Sequence, residues 1–163
     1  MTTTAAITKK AKDVMGKPPI TVKTTDSLEA AARLMIEKNI GCLPIVDEKG
    51  KFAGMVTERA FQGEFAGVKP ASSRPFHERV LQELFISGGS DFGTVQRGFE
   101  KARGGPVTHF MVTDEPVVTE ETELWKVAEV MLKSHLSHVA VLKDGKPVGV
   151  VARHDLLRAY AGK

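Results

Sequence analysis

Among 163 residues there is one cysteine, one tryptophan and one tyrosine. Cys42 closes no internal disulfide, so the fold has to hold by packing, and nothing points to an oxidising compartment. No apolar run approaches the roughly 18 residues of a membrane span. The opening MTTTAAITKKAKDVM lacks the apolar core of a signal peptide. These absences lead to the expectation of a cytoplasmic protein whose residues 1–12 form a mobile polar tail, partly helical near its end. Catalytic signatures are missing too: there is no glycine-rich phosphate loop, no paired-carboxylate site and no hydrolase elbow. Cys42 has no neighbouring histidine or second cysteine to activate it as a nucleophile. The reading is therefore of a protein that is not an enzyme and requires no cofactor. Charge of one sign is also scarce, with 23 Lys and Arg against 20 Asp and Glu for a net +3. The sequence pI of about 9.0 permits anionic partners without demanding them.

What the sequence does contain is a copy of itself. Aligning Met15 with Met111 also aligns Val22 with Val118, Leu28 with Leu124, Ala32 with Ala128 and Met35 with Met131. After a one-residue gap, Gly50, Lys51, Gly54 and Val56 fall on Gly145, Lys146, Gly149 and Val151. Each copy reads as a short strand ending near Val22 or Val118, then an amphipathic helix. The apolar faces of those helices are Leu28, Ala31, Ala32, Met35, Ile36 and Leu124, Val127, Ala128, Met131, Leu132. Asp26, with Glu29 three residues on, is the expected cap of the first. Two strands around a glycine turn follow, 43–47 with 52–57 and 139–143 with 147–152. A terminal helix closes each copy, the second from Arg153 to about Ala161. The fold class expected is α/β: two β-α-β-β-α repeats packed by a pseudo-twofold, spanning 13–61 and 106–163. Neither repeat is large enough to bury a comfortable core alone.

The run from Gly41 to Asp47, then Gly50, then Gly54-Met55-Val56-Thr57-Glu58-Arg59, resembles the CBS (cystathionine β-synthase) domain. The run from Ser137 to Val141, then Asp144-Gly145, then Gly149 to Leu156, is similar but more divergent. The resemblance covers Asp13 to Phe61 and about Pro106 to Tyr160. It implies a tandem, Bateman-type regulatory module with two clefts, which often binds AMP, ADP, ATP or S-adenosylmethionine and often forms homodimers.

The resemblance also implies site residues. In the family a Ser or Thr at the start of the closing helix contacts phosphate, and an Asp three residues later holds the ribose hydroxyls. This sequence splits the pair: Thr57 is followed by Ala60, while Asp155 is preceded by Ala152. The cleft of Asp155 is thus the better ribose site, with Arg153 and His154 available to phosphate in place of the missing hydroxyl. The cleft of Thr57, with Arg59 beside it, has lost the ribose anchor. Asp155 and Thr57 have plainer readings as a helix-dipole carboxylate and an N-cap. Gly41 and Pro44 are where backbone would approach the adenine, and Gly41 also reads as a helix-ending residue. Ile20 and Val118 would line the base pockets, or are simply core. His138 is counted with the cleft. His135, His138 and His154 suit a metal by donor type, but a helix ends between the first two, so they are read as cleft or surface histidines with no metal bound.

Residues 62–105 separate the repeats by more than a tandem pair needs. They read as a helical insertion. Phe76, Val80, Leu81, Leu84 and Phe85 share one face, and Phe92, Val95, Phe99 and Ala102 another. Packing against the core is the first reading of this segment, a dimer contact the second. Function is read as a stand-alone regulator that senses an adenosine-containing ligand and signals to a separate effector protein. The alternatives are a nucleic-acid-binding accessory protein, for which no recognition helix or stacking aromatic platform is present, and a dimerisation module without a ligand.

Overall fold

A computed structural model describes residues 8–66 and 104–162. The chain runs α1 (Ala11–Val14), β1 (Val22–Lys23), α2 (Leu28–Lys38), β2 (Cys42–Val46), β3 (Phe52–Thr57), α3 (Glu58–Ala66), a 3-10 turn (Val107–Phe110), β4 (Val118–Thr119), α4 (Leu124–Lys133), β5 (His138–Lys143), β6 (Lys146–Ala152) and α5 (Arg153–Tyr160). Each repeat forms its own three-stranded sheet, β1-β2-β3 and β4-β5-β6. The outer strand lies parallel to the central one, Val22 opposite Ile45 and Val118 opposite Val141. Parallel neighbours need a crossover, and α2 and α4 supply it. The hairpin partner is antiparallel, with Leu43 opposite Val56 and Val139 opposite Val151. Gly50 and Gly145 turn the two hairpins at φ 75° each, the left-handed region that glycine enters without steric penalty.

Three apolar clusters hold the fold. Leu28, Ala31, Met35, Leu43, Ile45 and Val56 form the core of the first repeat. Leu124, Val127, Met131, Val139, Val141 and Val151 form that of the second. Between the sheets lies a third, made of Cys42, Met55 and Ala140 with Phe52, Leu142 and Val150 against them. It joins the repeats.

Several local expectations change. The cap of α2 is Ser27, whose hydroxyl accepts from the Ala30 N–H at 3.1 Å. Asp26 instead accepts from the Lys23 N–H at 2.8 Å, holding the turn after β1. The helix-ending left-handed residue is Asn39 (φ 51°), not Gly41, and its counterpart in the second repeat is His135 (φ 53°). Ile36 and Leu132 were expected on the buried faces but are 81% and 77% exposed. The i+8 position lies about 80° round the helix from i, at the edge of the stripe, and here the stripe is only as wide as Leu28, Ala31, Met35 and Leu124, Val127, Met131. Helix α3 runs to Ala66, past the expected boundary at residue 61. The two helices expected between Phe76 and Ala102 lie outside the described residues.

The largest difference is an exchange of arms. Residues 9–12, placed in the tail by the sequence reading, pair with the second repeat. The Ala11 N–H donates to Thr122 O (2.8 Å), that of Leu124 to Lys9 O (2.8 Å), and that of Gly16 to Val150 O (3.0 Å). The segment before the second repeat does the same to the first: Val107 N–H to Asp26 O (2.7 Å), Leu28 N–H to Gly105 O (2.9 Å), and Met55 and Val112 to each other (2.9 and 2.8 Å). Met15 and Met111 ride on these arms. They explain two aligned glycines, because a Cβ on Gly149 would strike Met15 and one on Gly54 would strike Met111. The glycines leave room for the arm that crosses their strand.

Lys10 and Lys12 fasten the first arm to Glu121, the former at 2.6 Å. The hydrogen bonds from Lys10 and Lys12 lower the Glu121 carboxyl to about 2, although it is fully solvated. A depressed folded value means the attachment is complete above the ordinary carboxylate range and is lost as pH falls from there toward about 2. Amide protection factors at Ala11 and Lys12 should therefore fall across that window and be low already at neutral pH in Glu121→Gln. Protection that ignores both changes would show that the ion pairs do not hold the arm.

Candidate functional site

The two closing helices begin at equivalent points. The N–H of Glu58, first residue of α3, donates to Gly41 O at 3.1 Å, and that of Arg153, first residue of α5, donates to Ser137 O at 3.0 Å. Each helix therefore starts over the first turn of its central strand, where the sequence placed its candidate residues.

On the second repeat, the Asp155 carboxylate is half-buried and its Oδ2 accepts from the Ala152 N–H at 2.8 Å. That bond is the plain helix-capping role. Oδ1 has only Arg158 Nη1, at 4.0 Å, among the described residues. One lobe of the carboxylate thus fixes the helix start while the other remains an open acceptor. Arg153 is exposed, and its guanidinium donates to Ser137 Oγ. His154 is exposed.

On the first repeat, Thr57 ends β3 half-buried, and Arg59 is exposed. Ala60, at the position of the missing Asp, is packed into the core. Gly41 is tightly surrounded: a Cβ there would stand 3.0 Å from His138 Cε1 and 3.2 Å from the Glu58 carboxyl carbon. The sequence reading missed Glu58. Its signal was available, since Glu58 aligns with Arg153 and is the opposite charge at the head of the equivalent helix.

His138 crosses from β5 of the second repeat to this spot on the first. Burial lowers its pKa, Glu58 and Asp155 pull it up, and Arg153 pushes it down. Burial is the largest of these, so the net shift is downward and favours the neutral imidazole. Of the remaining candidates, Pro44 is fully buried in β2 opposite Met55, and Val118 is in the second core. Ile20 packs half-buried against the first core. The side chains of these three are packed, and the polar candidates gather at the helix starts. No group of three or more metal-ligating side chains occurs among the described residues. Burial pushes the Cys42 thiol up to about 12, which keeps it protonated and poorly nucleophilic. No described helix is long and apolar enough to cross a membrane.

Comparison with known proteins agrees with this architecture. The CBS domain family model matches residues 11–66 and again 107–162. The chain is 30% identical over 156 residues to L-aspartate semialdehyde sulfurtransferase of Methanocaldococcus jannaschii, covering 93% of this chain but 23% of that protein. It is 28% identical over 139 residues to the chloroplastic CBS domain-containing protein CBSX1 of Arabidopsis thaliana, covering 85% of this chain and 57% of the relative. The chain thus spans less than two thirds of either, and the sulfurtransferase name establishes no catalysis for it. Among solved structures, a CBS domain pair in complex with 5′-methylthioadenosine and S-adenosyl-L-methionine matches with a TM-score of 0.66 and 25% identity, covering 94% of this chain and 97% of that one. With the family matched twice and the two repeats laid out as in solved pairs, the chain belongs to the CBS domain family as a tandem pair.

Proposed function

We propose that this chain is a cytoplasmic regulatory module that binds an adenosine-containing ligand of the AMP, ADP, ATP or S-adenosylmethionine class, chiefly in the cleft of Asp155, and signals occupancy to a separate effector protein. The observation that carries this reading is the half-engaged carboxylate of Asp155. It is held in place by the Ala152 N–H and keeps an oxygen open for a pair of ribose hydroxyls. Arg153 stands at the same helix start, where the helix dipole also favours an anion. The adenosine derivatives in the complex of the related CBS pair support the ligand class. No chemical step is assigned: the described residues gather recognition groups, and the one thiol is buried and protonated. A thermal-shift series with AMP, ADP, ATP and S-adenosylmethionine tests the reading, and no shift with any of them would sink it.

We further propose a homodimer. Ile36 and Leu132 occupy equivalent outer positions of α2 and α4, and Leu157 and Tyr160 on α5 are 61% and 75% exposed. Large apolar side chains left in water on equivalent helices are what a closed twofold contact would cover. Light scattering at tens of micromolar should give about twice the 17.7 kDa chain mass. The double variant Ile36→Asp/Leu132→Asp should return it to the monomer. A monomeric mass for the unmodified protein would overturn the dimer.

A further inference from the structure

The two helix starts share one backbone geometry and carry opposite charges. Glu58 and Arg153 are both first in their helices, and both donate their N–H to the residue that opens the central strand. Both side chains fold back over that residue. The Glu58 carboxylate lies against Gly41, and the Arg153 guanidinium is bonded to Ser137 Oγ. The backbone dipole at each start is positive. Glu58 cancels it in the first repeat, and Arg153 adds to it in the second.

We infer that the two clefts sort adenosine ligands by the charge on their 5′ substituent, Arg153 drawing a phosphate to the second cleft and Glu58 turning it away from the first. The first cleft then suits an adenosine whose 5′ group is uncharged or cationic. This rests on the reading of the clefts as adenosine sites and adds what each would select.

The neighbouring side chains do not undo the inversion. His138 and Glu58 both stand against Gly41, and burial lowers the pKa of His138, which disfavours the cation that would offset the carboxylate. Its charged surroundings are Glu58 from α3 and Arg153 and Asp155 from α5. The next helical positions, Arg59 and His154, are exposed and lie about 100° round their helices from Glu58 and Arg153. In the second cleft the Asp155 carboxylate stands among two guanidiniums, that of Arg153 at the helix start and that of Arg158 at 4.0 Å, so positive charge predominates there.

Calorimetric titration of the full chain with AMP and with adenosine tests this. The unmodified protein should bind one AMP per chain more tightly than it binds adenosine. Arg153→Glu should weaken AMP by about tenfold or more, the size of a lost charge-assisted contact, and leave adenosine within about twofold. Glu58→Arg, which gives the first helix start the charge of the second, should raise the AMP-to-adenosine affinity ratio. Equal losses of AMP and adenosine in Arg153→Glu would overturn the inference, as would an unchanged AMP-to-adenosine ratio in Glu58→Arg. If either reversal fails to fold, Arg153→Gln and Glu58→Gln replace them. Both residues are exposed, and the same changes in the AMP-to-adenosine affinity ratio are expected, smaller in size. A wild-type chain that binds neither AMP nor adenosine would instead remove the adenosine reading itself, an outcome distinct from binding without discrimination.

Discussion

Asp155→Ala should abolish the rise in melting temperature that an adenine nucleotide produces, while Thr57→Ala should leave most of it. A ligand present at about 100 times its Kd adds roughly 2.7 kcal/mol to the folded state. In a chain of this length that is a rise of about 5–11 °C. In the proposed reading Asp155 is the ribose acceptor, and alanine would leave two hydroxyls unpaired. The substitution has a second effect, read without ligand. The Ala152 N–H loses its acceptor at 2.8 Å, so the unliganded protein should also melt lower by the cost of a helix cap, about 1 kcal/mol or roughly 2–4 °C. Asp155→Asn separates the two effects, because the amide oxygen can still accept from the Ala152 N–H. Its unliganded melting temperature should stay near wild type while the ligand shift is reduced. Thr57 lies in the repeat whose ribose position is the core residue Ala60. A ligand shift lost in Thr57→Ala and kept in Asp155→Ala would show the ligand in the first cleft.

Gly54→Ala and Gly149→Ala should be among the most damaging single-methyl additions the fold can receive. Alanine ordinarily improves on glycine in a strand by a fraction of a kcal/mol. Here the new methyl meets the arm crossing from the other repeat. At Gly54 it would lie 2.6 Å from the Val112 carbonyl oxygen as well as on Met111, and at Gly149 2.7 Å from Met15 Cγ and 3.0 Å from Gly16 O. Overpacking of this kind costs about 1–3 kcal/mol. Gly54→Ala belongs at the upper end, a loss of about 6–12 °C in Tm, because a backbone carbonyl cannot rotate away as a methionine can. The same difference predicts an asymmetric rescue. Met15→Ala should absorb much of the cost of Gly149→Ala, a favourable coupling in the double-mutant cycle. Met111→Ala should help Gly54→Ala less, since Val112 O remains. Additive losses in the Gly149/Met15 pair would show that the side chain is not the obstacle.

The duplication was fully legible in the sequence. Aligned apolar positions in each repeat, such as Leu28 with Leu124 and Met35 with Met131, are aligned core positions in space. The hairpin strands and the helices α2, α4 and α5 fell within a residue or two because turn glycines and helical periodicity are local signals. What periodicity cannot carry is the copy on which a segment packs. The pattern around Met15 reads the same whether it lies on its own repeat or on the other, so the exchange of arms was invisible and residues 9–12 were read as tail. The candidate site divided along the same line. Asp155 was offered by the family motif within one repeat, with Arg153 beside it. The approach of His138 to Gly41 joins two repeats and had no local trace. Pro44 and Val118 were offered to the ligand by the same resemblance, and their side chains are buried.

The exchanged arms make residues 9–16 late to be seated. The Ala11 N–H waits for Thr122 and Gly16 for Val150, so during synthesis this arm stays unseated until β6 has been made. Contacts of such sequence separation slow folding and bind both halves into one cooperative event. They also bear on ancestry. A single repeat with its own arm would hold a segment with no place on itself and a docking groove with no occupant. Two identical copies would satisfy each other reciprocally, as in a domain-swapped pair. The reciprocal arms within this chain are the bonds such a pair would make.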